Sequence, residues 1–276
     1  MIFKSKPDIA EFLGWHVGDG CLSITKRHYE YTLTGDITEE YPFYKEVIVP
    51  SFNEIFKEKL NKPVALKKYE SVGVCGIYVF NKNFATNLQR NFNLPSGKKV
   101  NIQIPSLIKT NEQKEHFIRG LFDTDGSIYF CKSYVKRKKE SIYNQFHFIP
   151  KLKIATISEI LIEQVYNMLL SLGFYPRIQK PVRQRKNEYV MHSVIMDTRK
   201  DVNKWIREIG FLSIKHRSKV LIWKKFGFCP PKTTLYERLK ILNGKINPLV
   251  CYSDTSNLSL VDLKKSFVSR GTNSNF

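Results

Sequence analysis

Hydrophobic positions along the chain predict the same series of elements twice. In the first series, Ile9, Phe12 and Leu13 recur at helical spacing, and the glycine at position 20 favours a helix end near Asp19. Ser5, with Asp8 three residues later, fits a capped helix start. Further patterns predict strands at 21–26 and 29–34, a helix at 39–60, strands at 64–69 and 73–80, and a helix near 84–92.

The second series opens at Thr110, where Gln113 completes a capping box, and its first helix is expected to end at Asp125. Strands at 127–133 and 145–155, a helix at 158–172, strands at 177–183 and 188–196, and a helix at 201–209 follow. Each half therefore reads αββαββα, and a repeat of this length indicates duplicated α+β domains. We expect a first repeat at 1–108, a second at 109–228 and a C-terminal extension at 229–276. The extension contains a helix at 235–242 and a Ser- and Asn-rich end, which is expected to be loosely held or to contact DNA.

Both opening helices end in the same motif. Gly14 and Gly18 precede Asp19 in one helix, and Gly120 and Thr124 precede Asp125 in the other. Small residues four positions apart lie on one helix face, so two such faces can pack with their backbones close together. This packing would bring the two final aspartates to one place.

That placement is electrostatically unfavourable without a cation. A helix C-terminus disfavours an anion by ~0.3–1 kcal/mol, and two adjacent carboxylates repel each other. Hard divalent cations such as Mg²⁺ prefer oxygen ligands. We therefore predict a metal site at Asp19 and Asp125, with the preceding Gly18 and Thr124 as further candidate ligands. The alternative is that each Asp-Gly pair only begins a hairpin.

Net charge is the most informative of the bulk properties of this sequence. The 276 residues include 45 Lys and Arg against 25 Asp and Glu, a net charge of +20. Such an excess favours a polyanionic partner, although a ribosomal or membrane-surface protein could share it. No apolar run approaches the ~20 residues of a membrane helix, and the N-terminus has no signal-peptide core. Five scattered cysteines without a C-x-x-C pair complete the expectation of a soluble, intracellular protein, cytoplasmic or organellar.

The paired motifs resemble those of LAGLIDADG homing endonucleases in their single-chain, two-repeat form. The motifs are Phe12-Leu13-Gly14-Trp15-His16-Val17-Gly18-Asp19-Gly20 and Ile118-Arg119-Gly120-Leu121-Phe122-Asp123-Thr124-Asp125-Gly126. The resemblance covers roughly residues 9–223 and includes three further stretches: Gly35-Asp36 before Tyr41-Pro42-Phe43-Tyr44, Leu94-Pro95-Ser96-Gly97-Lys98-Lys99 before Ile104-Pro105, and Ile209-Gly210-Phe211 before Lys215-His216.

The resemblance implies a fold and a reaction. Two pseudo-symmetric repeats would pack through their first helices, and their sheets would form a saddle over the DNA major groove. The last acids would bind Mg²⁺ or Mn²⁺, with Ca²⁺ allowing binding without cleavage. The implied product is a double-strand break at a long target with short 3′ overhangs, made by a monomer without a protein partner. A nearby lysine often assists, and Lys98, Lys99 and Lys215 are the candidates; alternatively, they are phosphate anchors or solvated.

Two motif positions depart from a simple active-site interpretation. The sixth motif position holds Val17 in one copy and Asp123 in the other. This position varies in the family, so Asp123 is expected to be structural. His16 is expected to be a packed histidine on the helix interface and not a base.

Strand alternation suggests a DNA-binding surface. Lys151 and Lys153 should share a sheet face, as should Arg183 and Arg185. Basic residues at 136–139 lie in a predicted hairpin loop and would contact phosphates. The full set of candidate DNA-binding residues is Lys26, Arg27, Lys67, Lys68, Lys132, Lys136, Arg137, Lys138, Lys151, Lys153, Arg177, Gln179, Lys180, Arg183 and Arg185.

Three other functions stay open for this sequence. A LAGLIDADG-type RNA maturase that assists intron splicing would share the fold. A DNA-binding regulator would have lost its acids, and both are present. A generic structural RNA-binding protein is disfavoured by the paired motifs.

Overall fold

The computed structural model describes residues 6–132, 146–182 and 189–252. The first series contains α1 (Ile9–Gly18), β1 (Gly20–Ile24), β2 (Tyr29–Asp36), α2 (Ile37–Phe43), α3 (Val49–Ile55), β3 (Lys67–Tyr69), β4 (Val74–Val79) and α4 (Lys82–Phe92). The second contains α5 (Asn111–Asp125), β5 (Gly126–Cys131), β6 (Ile149–Thr156), α6 (Glu159–Ser171), β7 (Arg177–Val182), β8 (Met191–Met196) and α7 (Arg199–Glu208), and α8 (Ile214–Phe226) and α9 (Leu235–Leu242) follow.

The two sheets have the same topology. Their strand orders are β1-β2-β4-β3 and β5-β6-β8-β7, with four strands each. Every pairing whose register is described is antiparallel. This matching order confirms the predicted α+β fold of two αββαββα repeats.

The chain forms two compact units that do not coincide with the repeats. One comprises Met1–Ser127 and Leu152–Ser213, and the other Ile128–Lys151 and Ile214–Phe276. In the first unit, Phe12, Tyr31 and Phe52 form part of an aromatic core, with Tyr31 and Phe52 stacked at 5.8 Å between centroids. The division of the chain at residues 108 and 228 stays a prediction.

Two of the predicted helices differ in detail from the structure. Asp8 caps α1 by accepting from the Glu11 backbone N–H at 3.0 Å, whereas Ser5 lies outside the described residues. The helix predicted at 39–60 consists of α2, a π-helical segment at Tyr44–Ile48, and α3. Pro50 follows that segment and has no N–H to donate to the carbonyl four residues earlier, which accounts for the local widening.

Helix α8 was not predicted from the sequence. Its thirteen residues, IKHRSKVLIWKKF, place basic side chains among apolar ones without a clear amphipathic period. Its buried positions include Val220, Ile222 and Trp223, so tertiary packing selects the helix.

Two bulk expectations can be compared with the described residues. All five cysteines are free thiols. Within residues 6–132, 146–182 and 189–252, no helix is long and apolar enough to cross a membrane.

Candidate active site at the ends of the two glycine-motif helices

Helices α1 and α5 touch through their backbones. A Cβ atom added to Gly14 would lie 2.2 Å from the Phe117 carbonyl oxygen, and one added to Gly120 would lie 2.4 Å from the Glu11 carbonyl oxygen. Contacts this short exclude any side chain at either position. The predicted close approach of the two helices is therefore confirmed.

The contact continues to the ends that carry the acids. A Cβ atom on Gly18 would lie 2.0 Å from Thr124 Oγ1 and 3.4 Å from the backbone nitrogen of Asp125. The Thr124 hydroxyl donates within its own helix, lying 3.1 Å from the carbonyl oxygens of Gly120 and Leu121. Thr124 thus occupies the space that Gly18 leaves, and α5 can end beside α1.

Lys99 caps the C-terminus of α1. Its Nζ donates to the carbonyl oxygens of His16 at 3.4 Å, of Val17 at 3.0 Å, and of Gly18. The last carbonyls of a helix lack partners within the helix and carry partial negative charge, so an ammonium group is favourable there.

The loop before Lys99 is attached to strand β1. The Gly97 N–H donates to the Leu22 carbonyl at 2.8 Å, and the Ile24 N–H donates to Ser96 Oγ at 2.9 Å. Gly97 has φ +87°, a conformation that favours glycine. These bonds along an edge strand direct the next residues of the loop toward the end of α1.

The ammonium of Lys99 lies in the electrostatic field of both candidate acids. Burial lowers the pKa of Lys99 below its usual value, while the charges of Asp125 and Asp19 act in the opposite direction. The Asp125 backbone nitrogen would also lie 3.4 Å from a Cβ atom on Gly18, the residue before Asp19, so the backbones that carry the two acids meet at the same helix ends. Lys99 offsets part of their mutual repulsion.

This donor set is compatible with Mg²⁺. Among the described residues, no group of three or more His, Cys, Asp or Glu could hold a metal. Mg²⁺ does not require such a cage, because it commonly binds one or two carboxylates together with water and substrate phosphates. Two carboxylates delivered by two helix ends match that pattern. The Gly18 carbonyl is engaged by Lys99, and the ligand roles of Gly18 and Thr124 stay predictions.

Asp123 points into the interior, away from solvent. Its side chain is fully buried, and its Oδ2 accepts from the Leu212 N–H at 2.7 Å. Burial, followed by the nearby charge of Glu11, raises the pKa of Asp123 to about 8. This environment is consistent with the structural role expected from the motif.

His16 is packed, as expected, but it does not lie on the helix interface. Gly14 and Gly18 face α5, whereas the His16 ring stacks on Tyr31 at 5.7 Å between centroids and lies over Gly20. Burial, with a smaller contribution from Lys99, lowers the pKa of His16 to about 3. His16 is therefore a neutral core residue on the sheet side of α1.

The other two candidate lysines differ in their surroundings. Lys98 is exposed, and its Nζ lies 5.8 Å from the centroid of the Tyr189 ring. Lys215 is partly buried near the start of α8, in the second compact unit. The roles of all three lysines stay predictions.

Candidate DNA-binding residues of the first sheet lie on different faces. Lys67 is opposite Gly76 and Lys68 is opposite Cys75, so the two side chains alternate. Lys68 shares the side of buried Cys75, and its Nζ lies 3.9 Å from the Tyr41 ring centroid on α2. Lys67 is thus the one of this pair on the open face. Lys26 and Arg27 are exposed in the turn between β1 and β2.

The second sheet places several candidates in one row. Lys153 and Arg177 both pair with Ile195, on opposite sides of β8, and Gln179 pairs with Ser193. Lys151 lies two residues from Lys153 and shares its face. Arg177 forms an ion pair with Asp197 at 2.7 Å. Lys132 and Lys180 are exposed, whereas Lys136, Arg137, Lys138, Arg183 and Arg185 lie outside the described residues.

A buried polar network was not predicted from the sequence. Arg119 of α5 binds Glu11 of α1, and His116 lies 2.9 Å from Asp8, the cap of α1. The only sequence signal was the presence of charged residues in two otherwise apolar helices, which does not identify their partners.

Comparison with known proteins agrees with the motif and the fold. Residues 112–210 match the model of a family described as the LAGLIDADG-like domain. This stretch of the chain is therefore similar to a LAGLIDADG-like domain. The structure of a mutant of I-SmaMI matches with a TM-score of 0.51 and 13% identity, covering 99% of each chain. At this identity the likeness shows that the fold is shared.

Two further relatives were found. The structure of I-DmoI in complex with DNA and Mn has 17% identity and a TM-score of 0.48, covering 73% of this chain and 94% of that one. The replication factor C small subunit of Methanocaldococcus jannaschii is 25% identical over 215 residues, which is 78% of this chain. The match covers 10% of that protein, so this chain corresponds to a small part of it.

Proposed function

We propose that this protein is a homing endonuclease of the LAGLIDADG type, which depends on a divalent metal, makes a double-strand cut in a long DNA target and leaves short 3′ overhangs. The observation that carries the proposal is the direct packing of the α1 and α5 ends, where a Cβ atom on Gly18 would lie 2.0 Å from Thr124 Oγ1 and 3.4 Å from the Asp125 backbone nitrogen. Each repeat contributes one acid, Asp19 or Asp125, from the end of its first helix. A stable fold alone gives no reason to place two carboxylates at adjoining helix C-termini.

Asp19 and Asp125 would hold Mg²⁺, or Mn²⁺ in its place. When bound at a scissile phosphate, such an ion activates water and stabilises the leaving oxygen. The ammonium of Lys99 would offset part of the repulsion between the two carboxylates when no metal is bound. The direct backbone contacts at Gly14 and Gly120 fix the two helices against each other. The two carboxylates would then lie beside the same phosphate groups of the DNA.

The charge distribution supports a nucleic-acid duplex as the substrate. The chain carries a net charge of +20, and Lys151, Lys153 and Gln179 share the open face of the second sheet. Strands with such a face can enter the major groove, where Arg and Gln read base edges. Arg177 would exchange its pairing with Asp197 for a base. We further propose that the enzyme acts as a monomer without a protein partner.

A cleavage selection tests the proposal. The full chain is incubated with a randomised duplex library and Mg²⁺, and the cut ends are sequenced; Ca²⁺ serves as the binding-only condition. The expected result is one long preferred site cut on both strands with a constant 3′ overhang. Failure to enrich any site, despite a folded protein, would refute the proposal.

Asp19→Asn and Asp125→Asn should each abolish cleavage while retaining DNA binding in Ca²⁺. Asp123→Asn provides a matched control, because this neighbouring acid is buried and has a pKa of about 8, so it is mostly protonated at neutral pH. The control should keep cutting. Full cleavage activity in Asp19→Asn or in Asp125→Asn would refute the proposed metal site formed by these two acids.

Two alternative functions predict different results when the same protein is tested for cleavage and binding. An RNA maturase would bind its intron RNA and promote splicing without enriching any cut site. A regulator would bind one duplex sequence tightly and leave it intact in Mg²⁺.

A further inference from the structure

The second compact unit carries an unusual concentration of positive charge. Its described residues, 128–132, 146–151 and 214–252, include eleven Lys and Arg and a single acid, Glu237. The carboxylate of Glu237 is engaged in the cap of α9, where it accepts from the Thr234 N–H at 2.8 Å and the Thr234 hydroxyl at 2.9 Å. Few carboxylates are therefore present to balance the cations of this unit.

Part of this charge lies along the outer side of α9. Leu235, Arg238 and Ile241 are the buried positions of the helix, so Tyr236 and Lys240 lie on its opposite face. Tyr236 is 66% exposed, and the Lys240 ammonium lies 4.2 Å from its ring centroid. This contact keeps the ammonium at the surface, over a polarisable ring.

Lys232 occupies the turn before α9 in a conformation that disfavours lysine. Its φ is +56°, and among the described residues only Asn93 is another non-glycine residue with a positive φ. Asparagine is common in this conformation at helix ends, as at the end of α4, but lysine is not. Pro231 precedes it, and a proline followed by a positive-φ residue is typical of a type II turn, where glycine is usual. Lysine in a backbone conformation that favours glycine is an outlier, and such outliers point to a function of the side chain.

Lys245 is exposed just after α9, and its backbone N–H donates to the Lys240 carbonyl at 2.8 Å. We propose that Lys232, Tyr236, Lys240 and Lys245, here named the α9 basic surface, bind the phosphate backbone of duplex DNA independently of base sequence. The proposal rests on the proposed function for its choice of DNA as the polyanion. Lysines with flexible stems and no planar fork suit phosphates better than base edges. The surface would add affinity and salt dependence, and it would not take part in cutting.

The test compares two variants that remove the same charge. Lys232→Gly/Lys240→Gln/Lys245→Gln changes the α9 basic surface, and Lys57→Gln/Lys59→Gln/Lys62→Gln removes three exposed lysines after α3 as a control. Dissociation constants for a duplex of arbitrary sequence are measured in Ca²⁺ over a range of salt concentrations. Each lost phosphate contact should lower the slope of log K against log salt by about 0.9, so the α9 variant should lose about 2–3 units of slope. The control should change far less.

Lys232→Gly alone separates binding from folding. Because glycine relieves the backbone conformation, the unfolding midpoint should rise while affinity for duplex DNA falls. Equal salt slopes for the two triple variants, or a larger loss on a hairpin RNA than on duplex DNA, would overturn the assignment of this surface to DNA. A protein that cuts no DNA but shows the predicted slope change would refute the proposed function and leave the α9 basic surface standing.

Discussion

Arg119 and Glu11 form a buried ion pair between α5 and α1. The guanidinium Nε lies 3.0 Å from Glu11 Oε1 and 3.1 Å from Oε2, and Nη2 donates to Oε2 as well. Glu11 is fully buried, and Arg119 is 6% exposed. Burial raises the pKa of Glu11, while the guanidinium lowers it. The pair thus joins the same two helices whose ends carry Asp19 and Asp125.

Removing one partner of this pair should destabilise the protein strongly. Arg119→Met leaves the Glu11 carboxylate buried without its counter-charge, and the expected loss is about 3–5 kcal/mol of unfolding free energy. The measurement is urea unfolding at neutral pH. The double variant Glu11→Leu/Arg119→Met should recover much of the loss, since no buried charge remains. If the double variant is as unstable as the single one, packing and not charge accounts for the effect.

Gly18→Ala should disturb the acid site through a specific clash. The added methyl group would overlap Thr124, whose Oγ1 would lie 2.0 Å and Cβ 2.8 Å away. Overpacking of this kind costs about 1–3 kcal/mol, and a displacement near 1 Å can cost about 10²-fold in rate. Single-turnover cleavage and urea unfolding check both effects. Thr124→Gly in the same chain removes both clashing atoms and should recover most of the loss, whereas an unimproved double variant would contradict this explanation.

Lys99→Met should change metal binding as well as cleavage. Without the ammonium, a divalent cation at Asp19 and Asp125 no longer experiences its repulsion, so Mn²⁺ affinity should rise about tenfold, equivalent to ~1.4 kcal/mol. Cleavage should fall, because the α1 carbonyls lose a donor and the helix end loosens. Calorimetry with Mn²⁺ and a cleavage assay give the two readouts. Lys98→Met is the control, since Lys98 lies on the surface beside Tyr189; unchanged Mn²⁺ affinity in Lys99→Met would refute the shared location.

His16 should make the protein sensitive to acid. Its pKa in the folded state is about 3, below the ordinary histidine value of 6.5. Below about pH 6.5 the unfolded chain therefore gains a proton that the folded chain does not, and stability falls by up to about 1.4 kcal/mol per pH unit. His16→Leu should flatten this fall between pH 6.5 and about 3 in urea unfolding. An identical pH profile in the variant would show that other groups cause the acid sensitivity.

Local chemistry in the sequence determined the helix ends and the repeat. The Thr110–Gln113 capping box was predicted and is present. Helix α1 ends at Gly18 with Asp19 as its C-cap, and α5 ends at Asp125, close to the predicted ends. These features depend on residues three or four positions apart, which sequence spacing determines directly. The alternating strands and the αββαββα order likewise follow from local periodicity.

Only the tertiary structure showed that Lys99, and not Lys98, caps the end of α1. The loop that carries both lysines is held by a hydrogen bond from Gly97 to Leu22, which is far away along the chain. The tertiary structure also placed Lys68 on the helix side of its sheet, since a strand's register decides which face each side chain occupies. The ion-pair partner of Glu11 could not be predicted from the sequence either, because it lies on the separate helix that packs against α1. The local sequence pattern therefore determined the helices, the strands and the two candidate metal-binding acids. Contacts between distant parts of the chain determined which side chains surround those acids.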